Sequence, residues 1–250
     1  MAEISKRVRA VFFDLDETLL DDDSGMREAV TRTCTTLGKR YPQIEPTQLQ
    51  SIYLQVSEEW WTSSGNVPRA SGSENSNGRD IRLEVWSKAL EAYGLSTLHL
   101  ASEAVDLYSQ ERRVSYCLFP DAHEVLDALY RRFALGVITN GPPDTQLEKL
   151  QVAGIAPYLH VFVVSGELGV GKPHSGIFLA ALESAHVAPQ DALHVGDSLT
   201  SDVAGAKSVG MYAVWVNRKR VARPQNALSP DLEIDSLRDI IPLLAWRETS

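Results

Sequence analysis

The 250-residue sequence has only two cysteines and no long apolar run. Cys34 and Cys117 show no paired spacing, so the sequence supports neither a disulfide framework nor a thiolate metal site. No window approaches the roughly 18 uninterrupted apolar residues that a membrane helix needs. The amino terminus carries mixed charges and no apolar signal region. Together these absences predict a cytoplasmic protein without a membrane partner.

Positive charge is also scarce. Lys plus Arg total 24 against 33 for Asp plus Glu, which gives a formal net charge of −9. The sequence has no basic stripe that could follow a nucleic-acid backbone, which argues against a nucleic-acid partner. The 44% hydrophobic content is that of a globular protein, and the length allows a core with an inserted domain.

Two carboxylates follow the first apolar run. The segment Val8–Phe13 is rich in β-branched and aromatic residues, which is typical of a strand buried on both faces of a parallel sheet. Asp14 and Asp16 come next, and in an extended segment both project to the same side, at the edge where such sheets bind ligands. Two ionised carboxylates so close repel each other unless a cation lies between them. A hard divalent cation, most simply Mg²⁺, is therefore expected, although Asp and Thr after a strand are also ordinary turn and capping residues.

Apolar runs alternate with helical segments from Tyr116 onward. This rhythm predicts an α/β fold, namely a Rossmann-like parallel sheet with helices on both faces. The first strand must join the same sheet, because alone it could bury nothing. The predicted later strands are Leu135–Ile138, Val161–Val164, Ala192–Val195 and Tyr212–Val216.

The segment between the first two strands has helical periodicity and no convincing strand. Residues 22–115 are therefore predicted to form an inserted α-helical cap domain, and residues 1–21 and 116–250 the core. An insertion at this point covers the strand ends and can act as a lid. Within it, Thr62–Gly78 is rich in Ser, Gly and Asn and predicts a surface loop, while Trp60 and Trp61 are predicted to be core residues. Asp23 or Ser24 is expected to cap the first helix.

Three later strand ends carry further polar groups. Thr139, Asn140 and Gly141 follow one strand, Lys172 lies shortly after the next, and Asp197 and Asp202 follow a third. Each group alone has an ordinary explanation as a turn, a surface lysine or a capping acid. Their joint appearance in this order at successive strand ends predicts one shared site.

These motifs together resemble the haloacid dehalogenase-like superfamily, specifically its Mg²⁺-dependent phosphatases. The resemblance spans the chain, and the helical insertion resembles the α-helical type of cap in that family. The segments Val137–Gly141, Gly171–Phe178 and Val195–Asp202 are similar to the branch of N-acylneuraminate-9-phosphatases and bacterial pyrimidine-nucleotide phosphatases. The resemblance implies a hydrolase that acts on a small phosphorylated metabolite, either a sugar phosphate or a nucleoside monophosphate.

The resemblance also implies roles for individual residues. Asp14 would be the nucleophile and Asp16 the general acid and base. Asp14 and Asp197, with the backbone carbonyl of Asp16, would hold Mg²⁺. Thr139, the neighbouring amide of Asn140, and Lys172 would bind the phosphoryl oxygens. Asp202 would steady Lys172 or a metal-bound water.

Three other functions stay open from the sequence. A 2-haloacid dehalogenase also uses an aspartate nucleophile, but the dehalogenases of the family do not keep an acid at the position of Asp16. A sugar phosphomutase shares the whole motif set, because only the cap decides whether water or a sugar hydroxyl receives the phosphoryl group. A catalytically silent binding protein on the same scaffold is the third.

Substrate identity is not fixed by the motifs. Arg79, Arg82 and Lys88 in the insertion could meet a second acidic group, such as a sugar-acid carboxylate, although solvated cations on a helix face are the more common case. The sequence does not predict an oligomeric state.

Overall fold

The computed structural model describes residues 7–65, 67, 77–95 and 97–244. Within these residues six strands form one sheet in the order β3-β2-β1-β4-β5-β6, and every neighbouring pair is parallel. The predicted α/β fold with a parallel sheet is confirmed. The strands are β1 (Ala10–Phe13), β2 (Ala134–Thr139), β3 (Val161–Val164), β4 (Ala192–Gly196), β5 (Tyr212–Val216) and β6 (Leu232–Ile234).

Helices cover both faces of the sheet, because alternate residues of each strand point to opposite sides. Val11 and Phe13 of β1 belong to one hydrophobic cluster, and Ala10 and Phe12 belong to another on the opposite face. The first cluster includes side chains from α5 (Ala122–Tyr130), α6 (Pro143–Val152) and α10 (Ile240–Leu244). The second includes side chains from α8 (Ser175–Ala185) and α9 (Ala204–Ser208). Burial on both faces explains why β1 is apolar throughout.

The strand order brings the polar motifs to one edge. β1 lies between β2 and β4, and the chain builds outward to β3 before it crosses to β4 on the other side. Parallel sheets open a crevice where the strand order reverses in this way. Asp14, Asn140 and Asp197 directly follow the last residues of β1, β2 and β4. The fourth motif, Lys172, follows β3 after the short helix α7 (Ser165–Leu168).

The insertion contains α1 (Asp22–Arg40), α2 (Pro46–Ser64), α3 (Gly78–Tyr93) and α4 (Leu98–Ser115). These helices share a hydrophobic cluster that is separate from the two clusters on the sheet. The indole of Trp86 is fully buried in it and lies 4.2 Å from the ring of Tyr53 and 5.8 Å from that of Tyr108, between ring centroids. The insertion therefore has its own core, and the division of the chain at residues 22–115 stays a prediction.

The cap of α1 differs from the prediction. Asp21 is the N-cap, and its carboxylate accepts a hydrogen bond from the backbone N–H of Ser24 at 3.4 Å. Asp22 and Asp23 are already in the first helical turn. The prediction of Asp23 or Ser24 as the cap was wrong, because the chain turns into the helix two residues earlier.

The predicted loop Thr62–Gly78 is also shorter than expected. Helix α2 continues through Ser64, and α3 begins at Gly78, so both ends of the segment are helical. Residues 66 and 68–76 of that loop lie outside the described residues. Trp60 is buried as predicted, but Trp61 is 46% exposed, so the prediction of Trp61 as a core residue was wrong.

No helix in the described ranges combines the length and the apolar composition needed to cross a membrane.

Candidate active site

A cavity of about 510 Å³ is lined both by residues at the carboxyl edge of the sheet and by residues of the insertion. All the site residues predicted from the sequence line it: Asp14, Asp16, Thr139, Asn140, Lys172, Asp197 and Asp202. The structure therefore brings four separate motifs to one cavity, although they are spread over nearly 190 residues of sequence.

Lys172 connects two of the carboxylates. Its Nζ lies 2.6 Å from Oδ1 of Asp14 and 2.7 Å from Oδ1 of Asp202, and its side chain is only 3% exposed. Burial lowers the pKa of Lys172, but Asp14 and Asp202 raise it by more than burial lowers it. The pKa therefore lies above its ordinary value. Lys172 therefore stays protonated and can meet an anion beside Asp14.

Asp202 is held by three donors. Lys172 and Nε2 of His194, at 2.9 Å, both contact Oδ1, and the backbone N–H of Ser198 donates to Oδ2 at 3.0 Å. Gly196 permits this packing, because a Cβ there would lie 2.2 Å from Cγ of Asp202. Burial lowers the pKa of His194 although Asp202 raises it, so the neutral ring donates through Nε2. Asp202 is thus held in place beside Lys172 by these three contacts.

Sequence reasoning missed His194. It lies within β4 among apolar residues, and such a histidine is normally interpreted as a core residue. The signal that could have found it is the strand periodicity, which places the side chain on the sheet face that Asp202 covers.

Asp14, Asp197 and Asp202 form an acidic group whose ligand atoms lie within 4.8 Å of one another. Burial raises the pKa of Asp14 well above its ordinary value; Lys172 lowers it, and the nearby Asp202 and Asp197 raise it further. Burial, with Asp202 as the next cause, raises the pKa of Asp197 to about 7. Burial is the main cause of both shifts and the neighbouring carboxylates add to it, so a cation bound at this point would favour the ionised forms. An all-oxygen donor set of this kind fits a hard divalent cation.

Thr139 and Asn140 lie at the end of β2 beside Lys172. The Asn140 side chain brackets the backbone of Lys172, because its Nδ2 donates to the carbonyl at 3.0 Å and its Oδ1 accepts from the N–H at 2.8 Å. Oγ1 of Thr139 accepts a hydrogen bond from Nε2 of Gln146 at 2.6 Å. Asn140 therefore positions Lys172 through its side chain, in addition to the backbone role that the resemblance implies.

Asp16 lies outside the acidic group. Both of its carboxylate oxygens lie 2.8 Å from Nζ of Lys149, and Nε2 of Gln146 donates to Oδ2 at 3.1 Å. Its predicted part in a metal site through the backbone carbonyl stays a prediction. Gln146 and Lys149 are on α6, and the sequence analysis did not identify them, because they lie in an ordinary helix several residues beyond the Thr139–Gly141 motif.

Asp22 and Arg112, which the sequence did not indicate either, connect Lys149 to the insertion. Asp22, at the start of α1, lies 3.0 Å from Nζ of Lys149 and 2.6 Å from Nη2 of Arg112 in α4. Burial raises the pKa of Asp22, but Lys149 and Arg112 lower it more, to about 2. Asp16, Lys149, Asp22 and Arg112 form a continuous chain of ion pairs from the sheet edge into the insertion.

The cations considered in the insertion have different surroundings. Arg79 pairs with Asp106, and Lys88 pairs with Glu84 at 2.7 Å; both basic side chains are about half exposed. Arg79 and Lys88 are therefore solvated cations on a helix face, which is the more common case for such residues. Arg82 lines the cavity.

Comparison with known proteins identifies the family. The model of the haloacid dehalogenase-like hydrolases matches residues 8–210 of this chain. Phosphoserine phosphatase of Thermus thermophilus is 42% identical over 162 residues, and this match covers 64% of each protein. Human N-acylneuraminate-9-phosphatase is 28% identical over 243 residues, which cover 95% of this chain and 94% of that protein.

Solved structures agree on the fold. The 2-haloacid dehalogenase of Pseudomonas syringae pv. tomato superposes with a TM-score of 0.69 at 31% identity, covering 95% of this chain and 98% of that one. The resemblance found in the motifs is confirmed, because the family model extends across both the insertion and the strands that carry the site. The protein is a member of the haloacid dehalogenase-like hydrolases.

Proposed function

We propose that this protein hydrolyses small phosphate monoesters and that Asp14 is the nucleophile. One observation carries the proposal: Asp14 lies at the edge of the cavity, 2.6 Å from the buried ammonium of Lys172 and within the acidic group. A phosphate monoester is an anion that an unassisted carboxylate would repel. A site that pairs the carboxylate with fixed positive charge meets this requirement.

The groups around Asp14 would bind the phosphoryl oxygens. Lys172 supplies an ammonium that Asp202 and the Asn140 side chain hold in position. The Thr139 hydroxyl and the backbone N–H of Asn140 supply neutral donors at the end of β2. Donors fixed before substrate arrives stabilise transition-state charge without a reorganisation cost. Asp14 then attacks phosphorus in line with the leaving oxygen and becomes an aspartyl phosphate.

Two carboxylates of the acidic group, Asp14 and Asp197, would hold Mg²⁺ together with the backbone carbonyl of Asp16. When bound, the ion supplies positive charge that offsets the charge of the phosphoryl oxygens. Asp202 would orient Lys172 instead, and its contacts with Lys172, His194 and Ser198 support this role.

Asp16 would move the protons. It donates one to the departing alkoxide, which is a poor leaving group, and later accepts one from the water that attacks the aspartyl phosphate. Lys149 and Gln146 hold its carboxylate at the cavity wall. Asp14 and Asp16 thus have separate partners and separate roles, although only Leu15 lies between them.

Residues 22–115 would act as a cap over the core formed by residues 1–21 and 116–250. The insertion supplies one wall of the cavity, so a bound substrate would be shielded from bulk water. The substrate would be a small phosphorylated metabolite, a sugar phosphate or a nucleoside monophosphate.

A phosphate-release screen tests the proposal. Purified protein is assayed on sugar phosphates, nucleoside monophosphates and other small monoesters, with Mg²⁺ and with excess chelator. We expect release from a subset of these esters, loss of activity in chelator, and recovery on addition of Mg²⁺. Asp14→Asn should reduce turnover by at least about a thousandfold, because the amide cannot attack phosphorus. No release from any ester would contradict the proposal and favour a binding role.

A second candidate function is 2-haloacid dehalogenation, which the 31% identity to the Pseudomonas enzyme favours. The same protein should then release chloride from a 2-chloroacid in the presence of excess chelator. We expect no chloride, because the acidic group beside Asp14 fits a cation that phosphate chemistry uses.

A further inference from the structure

Arg82 projects from α3 of the insertion and lines the cavity. Its Nη1 donates to the hydroxyl of Ser109 at 3.0 Å and its Nη2 to the hydroxyl of Tyr116 at 3.3 Å. The guanidinium also lies 6.0 Å from the ring centroid of Tyr108. These partners are neutral, so they orient the guanidinium without offsetting its charge.

Other cations on the same helix have carboxylate partners. Arg79 pairs with Asp106, and Lys88 pairs with Glu84. In the part of the chain that the structure describes, no carboxylate lies within ion-pair distance of Arg82. Arg79 and Lys88 are exposed to solvent, whereas Arg82 is partly buried at the cavity. A partly desolvated guanidinium without a counter-charge favours an anionic ligand.

The nearby ion pairs do not include Arg82. Lys149 and Arg112 line the same cavity, but Asp16 and Asp22 pair with them. The charges of Lys149 and Arg112 are therefore already paired, whereas no carboxylate of the described residues lies within ion-pair distance of Arg82. The phosphoryl-binding cation Lys172 is a different group with its own carboxylates.

The guanidinium has free donors for a ligand. Arginine carries five N–H groups, and two of them are used on Ser109 and Tyr116. The remaining donors match the two oxygens of a carboxylate, which arginine binds in a bidentate manner. Met26, Ile81 and Val85 give the neighbouring wall an apolar surface, which suits a short carbon skeleton.

We propose that Arg82 binds a carboxylate of the substrate, so that the preferred substrates are phosphate monoesters of small carboxylic acids. This inference rests on the proposed phosphatase function. Phosphate would lie at Asp14 and Lys172, and the carboxylate at Arg82, with the carbon skeleton between them in the cavity. Recognition of both ends of the substrate would select against esters that lack the acid group.

Matched substrate pairs test the inference, because each pair differs only in the carboxylate. O-phosphoserine is compared with O-phosphoethanolamine, and 3-phosphoglycerate with glycerol 3-phosphate, by kcat/KM with Mg²⁺ present. We expect the wild-type protein to favour the acid in at least one pair by about tenfold or more. Arg82→Met should reduce that preference to about threefold or less, mainly through the KM for the acid, and Arg82→Lys should retain part of it.

Arg79→Met is the matched control, since it removes a guanidinium from the same helix one turn earlier, where Asp106 already pairs with it. Its preference should equal that of the wild-type protein. Circular dichroism and thermal melting identify a variant that fails to fold, and Arg82→Lys then provides the comparison. Equal efficiency on acid and neutral esters in the wild-type protein would overturn the inference and leave the phosphatase function intact. No hydrolysis of any ester would remove both.

Discussion

The two aspartates of the first motif have different partners. Asp14 is paired with Lys172 from the segment after β3, and Asp16 with Lys149 from α6. The side chain of Asp14 belongs to the acidic group, whereas that of Asp16 does not. Under the proposed mechanism, separate lysines would therefore hold the nucleophile and the group that transfers protons.

Lys149→Met tests the role of the second lysine. Without Lys149 the Asp16 carboxylate loses its ion pair, and we expect kcat to fall by about 10- to 100-fold with a smaller change in KM. If Asp16 protonates the leaving group as proposed, the loss should be greater for an alkyl phosphate than for p-nitrophenyl phosphate, whose leaving group needs no proton. Steady-state kinetics on both esters measures the difference.

Two variants control that experiment. Lys149→Arg keeps the charge and should recover part of the activity. Lys207→Met removes a lysine that pairs with Asp231 away from the cavity, and it should leave both rates unchanged. An equal loss on the two esters would show that Lys149 is only structural.

Motif residues were predictable because they lie at or shortly after strand ends; Asp14 and Asp197 follow β1 and β4 directly. Lys149 and Asp22 were not, because their partners are distant in sequence. Asp22 pairs with Arg112, 90 residues away, and Asp16 with Lys149, 133 residues away. Nothing in the local pattern of either helix distinguishes such a residue from a solvated charge.

At the scale of elements, the buried strands were predictable and the last strand was not. β1 to β5 are apolar runs covered by helices, which is a pattern that sequence shows clearly. β6 has three residues, Leu232–Ile234, and the middle one is an exposed glutamate. It is an edge strand fixed by pairing with β5, so the signal is tertiary.

Asp121 joins the ends of several elements. It precedes α5, its carboxylate pairs with Arg218 after β5 at 2.9 Å, and it accepts hydrogen bonds from Ser236 and from the N–H of Leu237 after β6. Arg218 also donates to the carbonyl of Thr18, in the turn after β1. One carboxylate thus connects the loops at this end of the sheet.

Acid should weaken this connection. Burial raises the pKa of Asp121, but the hydrogen bonds from Arg218, Leu237 and Ser236 lower it more, below the ordinary 3.8. A lowered native pKa gives stability that is complete above the unfolded pKa and lost as the pH falls through the native one.

We expect Asp121→Asn to reduce the free energy of unfolding by about 1 to 3 kcal/mol at pH 7. The difference from the wild-type protein should shrink below about pH 4, where the wild-type carboxyl also becomes protonated. Urea unfolding at pH 7, 5 and 3 measures it. A difference that stays constant down to pH 3 would contradict the account. Asp231→Asn, at the more exposed pair with Lys207, is the control and should change stability less.

At the scale of the whole molecule, the candidate active site lies where the sheet and the insertion meet. The sheet and the insertion have their own hydrophobic clusters, and the cavity is lined by both. Ion pairs from Asp16 through Lys149 and Asp22 to Arg112 connect the two sides. A parallel sheet that includes the first strand could be predicted from the sequence, but the ion pairs at this side of the cavity could not, because they depend on how the insertion packs.

The central claim is that Asp14 accepts the phosphoryl group, and an acid-quenched single turnover tests it most directly. The quenched protein is digested and its peptides are mapped by mass spectrometry. The account predicts a phosphorylated aspartate at Asp14 in the wild-type protein with Mg²⁺, and none in Asp14→Asn. Turnover of the same substrate by Asp14→Asn at the wild-type rate, or a phosphoryl group on another residue, would contradict it.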